Sequence, residues 1–171
     1  MVFTALFAAI LCVVAPFSFF IGPVPLSLAT LAIYLAAGAL DWRSGVLSVV
    51  LYVLLGIVGL PVFSGFQGGF NKVAGITGGF IIGYIPCALS AGLIIFVFRE
   101  KIWSYALGMA VGTILLYTCG AAWFILQTGT PPLAALALCV VPFLPGDAVK
   151  IIAACIVAPR LRNVMARLQQ G

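Results

Sequence analysis

An all-α, polytopic membrane fold follows from three observations. It is predicted as a bundle of six transmembrane helices with a glycine- and aromatic-rich external loop between the third and fourth. First, 65% of the 171 residues are apolar and only 6% are charged, against about 25% charged in a soluble domain. Second, the apolar residues fall into runs of helical length, separated by Gly/Pro clusters or short charged turns. Third, the basic residues collect at alternate turns, as they do when loops lie on opposite sides of a membrane. The length suits one bundle, so residues 1–171 are read as a single transmembrane domain.

The first run, residues 2–20, lacks a basic leader and is too long for the apolar core of a signal peptide, so it is read as a transmembrane helix. Ala5 and Ala9 form a small-xxx-small pair on it, a surface that lets another helix approach closely. The spacing alone serves a neighbouring subunit or internal packing equally. Gly22-Pro23-Val24-Pro25 ends this helix. The second helix runs from about Leu26 to Leu40, with Ser27 and Thr30 on one face. After the turn Asp41-Trp42-Arg43, with its interfacial Trp, the third helix covers about Gly45 to Gly59.

Residues 60–72 carry glycines, aromatics every few positions, two amides and Lys72. A merely flexible loop is poorer in aromatics and richer in charge. This one is read as folding back on the bundle as a lid. Gly75, Gly79 and Gly83 are expected on one stripe of the fourth helix, which ends near Phe98; close backbone packing is the commoner use of such a stripe. Arg99-Glu100-Lys101 makes a turn. The fifth helix spans about Trp103 to Leu126, with Gly108 and Gly112 as a second close-packing pair. Residues 133–143 are too few to cross and read as a short interfacial or re-entrant helix. The sixth helix is expected over Pro145–Ala158, before a basic tail with Arg160, Arg162 and Arg167.

Several functions are excluded. The chain has no histidine and only three carboxylates, Asp41, Glu100 and Asp147. With two of these in turns, no acid–base dyad can form, and no nucleophile–base pair is in sight. No Walker stretch is present. Cys12, Cys87, Cys119, Cys139 and Cys155 are never spaced C-x-x-C, so no zinc site is expected; they read as small apolar packers. No metal or cofactor is predicted, and the chain is not read as an enzyme. The net charge of +5 is too small and scattered for nucleic acid; it sets orientation in membrane lipid instead. With six helices, Arg43, Arg99, Lys101, Arg160, Arg162 and Arg167 share the side of the termini, which the positive-inside rule makes cytoplasmic.

The polar centre of the chain is Leu144-Pro145-Gly146-Asp147-Ala148-Val149-Lys150. Proline suits the first helical turn, and Asp147 then stands near the positive end of the helix dipole. Asp147 and Lys150, three apart, share a face. Each ionisable group at the membrane centre costs about 2.5–3.5 kcal/mol on insertion scales. Such groups usually face a ligand, a pathway or one another. The plainer alternative is an ion pair that pins a helix end. From Asp147 to Ala158 is about 16 Å of helix, which puts the pair in the outer half of the membrane, beneath the 60–72 loop.

These segments resemble the BioY family, the biotin-binding S components of energy-coupling-factor vitamin transporters. The likeness is carried by Gly22-Pro23-Val24-Pro25 with Thr30-Leu31, by Gly59-Leu60-Pro61-Val62-Phe63-Ser64-Gly65, by Gly68-Gly69 with Thr77-Gly78-Gly79-Phe80, and by Leu144-Pro145-Gly146-Asp147 with Lys150. It covers nearly the whole chain in order.

The resemblance implies a bacterial cell-membrane subunit that binds biotin near the outer surface. Its implied partners are a transmembrane coupling subunit and ABC-type ATPases. It implies Asp147 and Lys150 as ligand contacts and Ala5 and Ala9 as the docking surface for the coupling subunit. The family commonly has Gln-Thr-Leu after Val-Pro, where this chain has Ala29-Thr30-Leu31; no ligand contact is therefore assigned to the second helix. Asn71, polar and beside the lid, and Phe66, suited to an apolar ring, are further candidates.

Biotin's chemistry agrees: a carboxylate accepts a ureido N–H and an ammonium donates to the ureido carbonyl, both charge-assisted. An S component for another vitamin, a small membrane enzyme based on Asp147 or Lys150, and a structural subunit without a ligand are the competing readings.

Overall fold

The computed structural model describes residues 1–21, 24–98 and 101–168. Helix α1 (Val2–Val14) leads into an antiparallel hairpin of β1 (Ser18–Ile21) and β2 (Val24–Ser27), with Ser18 paired to Ser27 and Ile21 to Val24. Then follow α2 (Ala29–Ala39), α3 (Trp42–Val58), the short α4 (Phe70–Ala74), α5 (Gly78–Val97) and α6 (Ile102–Thr128). The chain closes with α7 (Pro132–Cys139), a 3-10 turn (Val141–Phe143) and α8 (Leu144–Leu168). Gly22-Pro23 and Arg99-Glu100, read above as turn residues, lie outside the described residues.

Among the described residues, three helical stretches are long and apolar enough to cross a membrane: Gly78–Val97, Ile102–Thr128 and Pro132–Arg167. Helices α1, α2 and α3 are apolar but shorter.

The first apolar run is not one helix. It stops at Val14 because Pro16 has no N–H to continue the ladder, and Ser18-Phe19-Phe20-Ile21 is aromatic and β-branched enough to pair as a strand. The base of the hairpin is closed by Ser27, whose Oγ donates to the Ala15 carbonyl at 2.9 Å and accepts from the Ala29 N–H at 2.9 Å. One side chain thus ends α1 and starts α2.

The loop after α3 is built rather than slack. Gly59 ends α3 with φ +116° and Gly69 opens α4 with φ +92°, both left-handed positions that suit glycine. The Gly69 N–H donates to the Gly56 carbonyl at 2.7 Å, and a bridge joins Phe63 to Gln67. Phe63 is fully buried, its ring seated on Gly56 and edge-on to Tyr52. The loop is pinned to the hairpin by the Gly65 N–H on the Pro16 carbonyl (3.0 Å) and by the edge-to-face pair Phe17–Phe66.

Gly75 is not on the helical stripe expected for it. It caps α4, and its carbonyl accepts from Trp123 Nε1 of α6 at 2.9 Å. Gly79 and Gly83 do lie on α5, against Trp123, Cys119 and Leu116 of α6. Gly108 and Gly112 approach Ala91 and Cys87 from the other side, so α5 and α6 form the most extensive helix pair.

The last helix is also longer than expected. It continues past Ala158 and Pro159 to Leu168. Two contacts hold the extension. Arg162 Nη1 donates to the Gly38 and Leu40 carbonyls, 3.4 and 3.3 Å away at the end of α2. Met165 is buried with Phe7, Ala36, Ala39 and Leu40. Arg162 of the basic tail therefore docks on the bundle, while Arg160 and Arg167 are exposed.

Candidate functional site

Asp147 and Lys150 occupy the first two turns of α8, one turn apart and on one face. Lys150 Nζ lies 2.9 Å from Asp147 Oδ1. Both residues are buried, at 4% and 8% exposure. Their remaining hydrogen-bonding capacity is met by the end of β2, by α2 and by α6. Lys150 also donates to Thr30 Oγ1 (2.9 Å) and to the Ser27 carbonyl (2.7 Å). Asp147 Oδ1 accepts from Thr30 Oγ1 at 3.2 Å, and Oδ2 accepts from Tyr117 OH at 2.6 Å. An ammonium has three N–H donors, and each has an acceptor here. No buried side-chain N or O among the described residues lacks a partner.

This clasp forms part of the wall of a cavity. Its space is about 580 Å³ measured out through its open mouth. The apolar wall comes from Val24 and Pro25 of the hairpin, Phe63 of the loop, Phe80, Ile81 and Tyr84 of α5, Leu116 of α6 and Phe143 before α8. Phe63 and Phe80 are positioned by glycines: each ring rests where the Cβ of a larger residue would stand, at Gly56 and Gly120. Apolar walls with a small polar cluster are the usual build of a small-molecule site.

The sequence-predicted residues divide. Asp147 and Lys150 are brought together on the wall. Asn71 and Phe66 are exposed and do not line the cavity; Phe66 packs on Phe17 instead. Ala5 and Ala9 do not line the cavity and are exposed on α1 with Val2, Leu6 and Val13.

Thr30 of α2 joins the clasp, its hydroxyl bridging both members of the pair. Ser27, expected on one helical face with Thr30, instead ends β2 and meets Lys150 through its backbone carbonyl. Tyr117 was missed. The available signal was its spacing from Thr113, four residues earlier on α6, which gives two hydroxyls on one face of an apolar helix; Thr113 in turn bonds Tyr34 OH at 2.6 Å.

A helical bundle with apolar spanning helices, a buried ion pair on the wall of an apolar cavity and a folded loop beside its mouth defines a membrane protein that binds a small solute. Comparison with known proteins makes the assignment narrower. Residues 1–167 match the BioY family, and the chain belongs to that family.

It is 39% identical over 159 residues to a probable biotin transporter BioY of Pyrococcus horikoshii and 36% identical over 160 residues to the biotin transporter BioY of Thermotoga maritima, with 93% of each chain covered in both cases. Among solved structures it resembles the S component for biotin from an ECF-type ABC transporter. The TM-score is 0.86 at 26% identity, over 95% of this chain and 89% of that one.

Proposed function

We propose that this chain is the biotin-binding subunit of an energy-coupling-factor uptake transporter, capturing biotin from outside for import driven by partner ATPases. The observation that carries the proposal is the buried Asp147–Lys150 pair on the cavity wall, in a chain similar over its length to biotin transporters. Asp147 accepts a ureido N–H, and Lys150 turns one of its donors to the ureido carbonyl. The aromatic and aliphatic wall takes the thioether ring. The solute is bound and handed on without chemical change.

In the membrane, α1, α2 with the hairpin, α3, α5, α6 and α8 make six crossings. Helix α2 alone is about 16 Å long, short of the roughly 30 Å hydrocarbon core, so the hairpin completes its crossing. Both termini are cytoplasmic, with Arg43, Lys101, Arg160, Arg162 and Arg167 on that side, and the cavity mouth is external. Ala5 and Ala9, exposed on α1, dock the coupling subunit, where small side chains allow close helix approach.

The test is mass spectrometry of small molecules that co-purify with the protein, followed by competition of biotin against thiamine and riboflavin. Co-purified biotin displaced only by biotin supports the proposal. A different vitamin in its place would move the chain to another specificity.

A further inference from the structure

The cavity wall holds three ionised side chains, and only two of them balance. Asp147 and Lys150 neutralise each other at 2.9 Å. Lys150 already has Asp147 as its counter-ion, and its three donors rest on Asp147, Thr30 and the Ser27 carbonyl. The third is Lys72, which reaches the wall from α4 in the external loop. Its ammonium has no hydrogen-bond or ion-pair partner among the described residues. Partial burial nevertheless pulls it below the usual lysine range.

Its backbone is held in place. The Lys72 N–H donates to the Gly69 carbonyl at 3.1 Å, and the end of α4 is tied to α6 through Gln127 Nε2 on the Ala74 carbonyl and Trp123 Nε1 on the Gly75 carbonyl. A lysine on the wall of an otherwise neutral cavity leaves one positive charge to be met by the solute.

We infer that Lys72 is the specificity residue for the anionic end of the solute, pairing with its carboxylate while the neutral ureido end meets the Asp147–Lys150 clasp. The inference rests on the biotin reading above. It divides recognition between two poles on different elements: a neutral one on α8, α2 and α6, and a charged one on the loop. The clasp cannot serve the carboxylate as well, because a second anion beside Asp147 would take Lys150 from its counter-ion.

The experiment measures affinity for biotin and for biotinamide, in which a neutral primary amide replaces the carboxylate. The full-length parent is compared with Lys72→Met and Lys72→Arg. Lys72 is partly exposed on a short loop helix, so both variants fold. The parent is expected to prefer biotin about tenfold, the low end for a hydrogen bond to a charged group at a partly solvated site. Lys72→Met should lose that preference by weakening biotin alone, and Lys72→Arg should restore it.

A preference unchanged in Lys72→Met, or both compounds weakened equally, overturns the inference. A parent that binds both compounds equally keeps the biotin reading and removes the lysine from it. A parent that binds neither overturns the biotin reading itself.

Discussion

Replacing Asp147 with Asn and Lys150 with Met, singly and together, separates a ligand site from a structural pin. In the parent, Asp147 accepts from Lys150, Thr30 and Tyr117, and Lys150 donates to Asp147, Thr30 and the Ser27 carbonyl. Lys150→Met leaves a buried carboxylate with two hydroxyl donors and no counter-ion. Asp147→Asn leaves a buried ammonium with neutral acceptors only. Removing one partner of a buried pair costs about 3–5 kcal/mol, whereas replacing both is close to neutral.

Each single variant should therefore unfold well below the parent in detergent, and the double variant should recover most of the loss. Binding follows a different rule. Losing a hydrogen bond to a charged group costs about 1.5–3 kcal/mol, or roughly 10- to 150-fold in affinity. That loss should persist in the double variant, because the groups that meet the ureido ring are still gone. Thermal unfolding followed by intrinsic fluorescence, with calorimetric titration of biotin, reads both quantities. A double variant that binds biotin as tightly as the parent would refute the reasoning and leave the pair as a pin.

Gly120→Ala places a methyl group against the Phe80 ring. Overpacking of this kind costs about 1–3 kcal/mol, and the displaced ring should weaken biotin binding in the same titration. Ala5→Leu and Ala9→Leu should leave biotin affinity unchanged and abolish co-purification with the coupling subunit, since both side chains are exposed on α1.

Asp41→Ala removes the N-cap of α3, where the carboxylate accepts from the Ser44 N–H at 3.1 Å, and should cost about 1 kcal/mol. Although burial pushes the Asp41 carboxyl up, the hydrogen bonds from Ser44 and the first turn hold it below its ordinary value. Its stabilisation is therefore full above the ordinary carboxylate range and lost as pH falls through the lowered value. Unfolding scans of parent and variant across that acid range should converge.

The membrane class was settled by the sequence alone, because hydrocarbon demands apolar side chains and internally satisfied backbone, and both leave a mark in composition and run length. Asp147 and Lys150 were equally legible: two charges three apart in an apolar run have few other uses. What the sequence did not reveal depends on contacts between distant segments. Residues 2–20 read as one helix until Pro16, Ser27 and the Ala15 carbonyl are brought together to turn part of the run into a hairpin. The last helix is expected to end near Ala158, yet it runs on to Leu168, where Arg162 meets the open carbonyls at the end of α2.

Thr30 and Tyr117 join the site because α2 and α6 bring hydroxyls from 117 and 30 residues away to the same carboxylate. Asn71 and Phe66, plausible by type and neighbourhood, point elsewhere, while Lys72 beside them reaches the cavity. Residue type sets what a side chain can do, and helical period sets which face it shares. Which distant groups meet on that face is decided only when the helices pack.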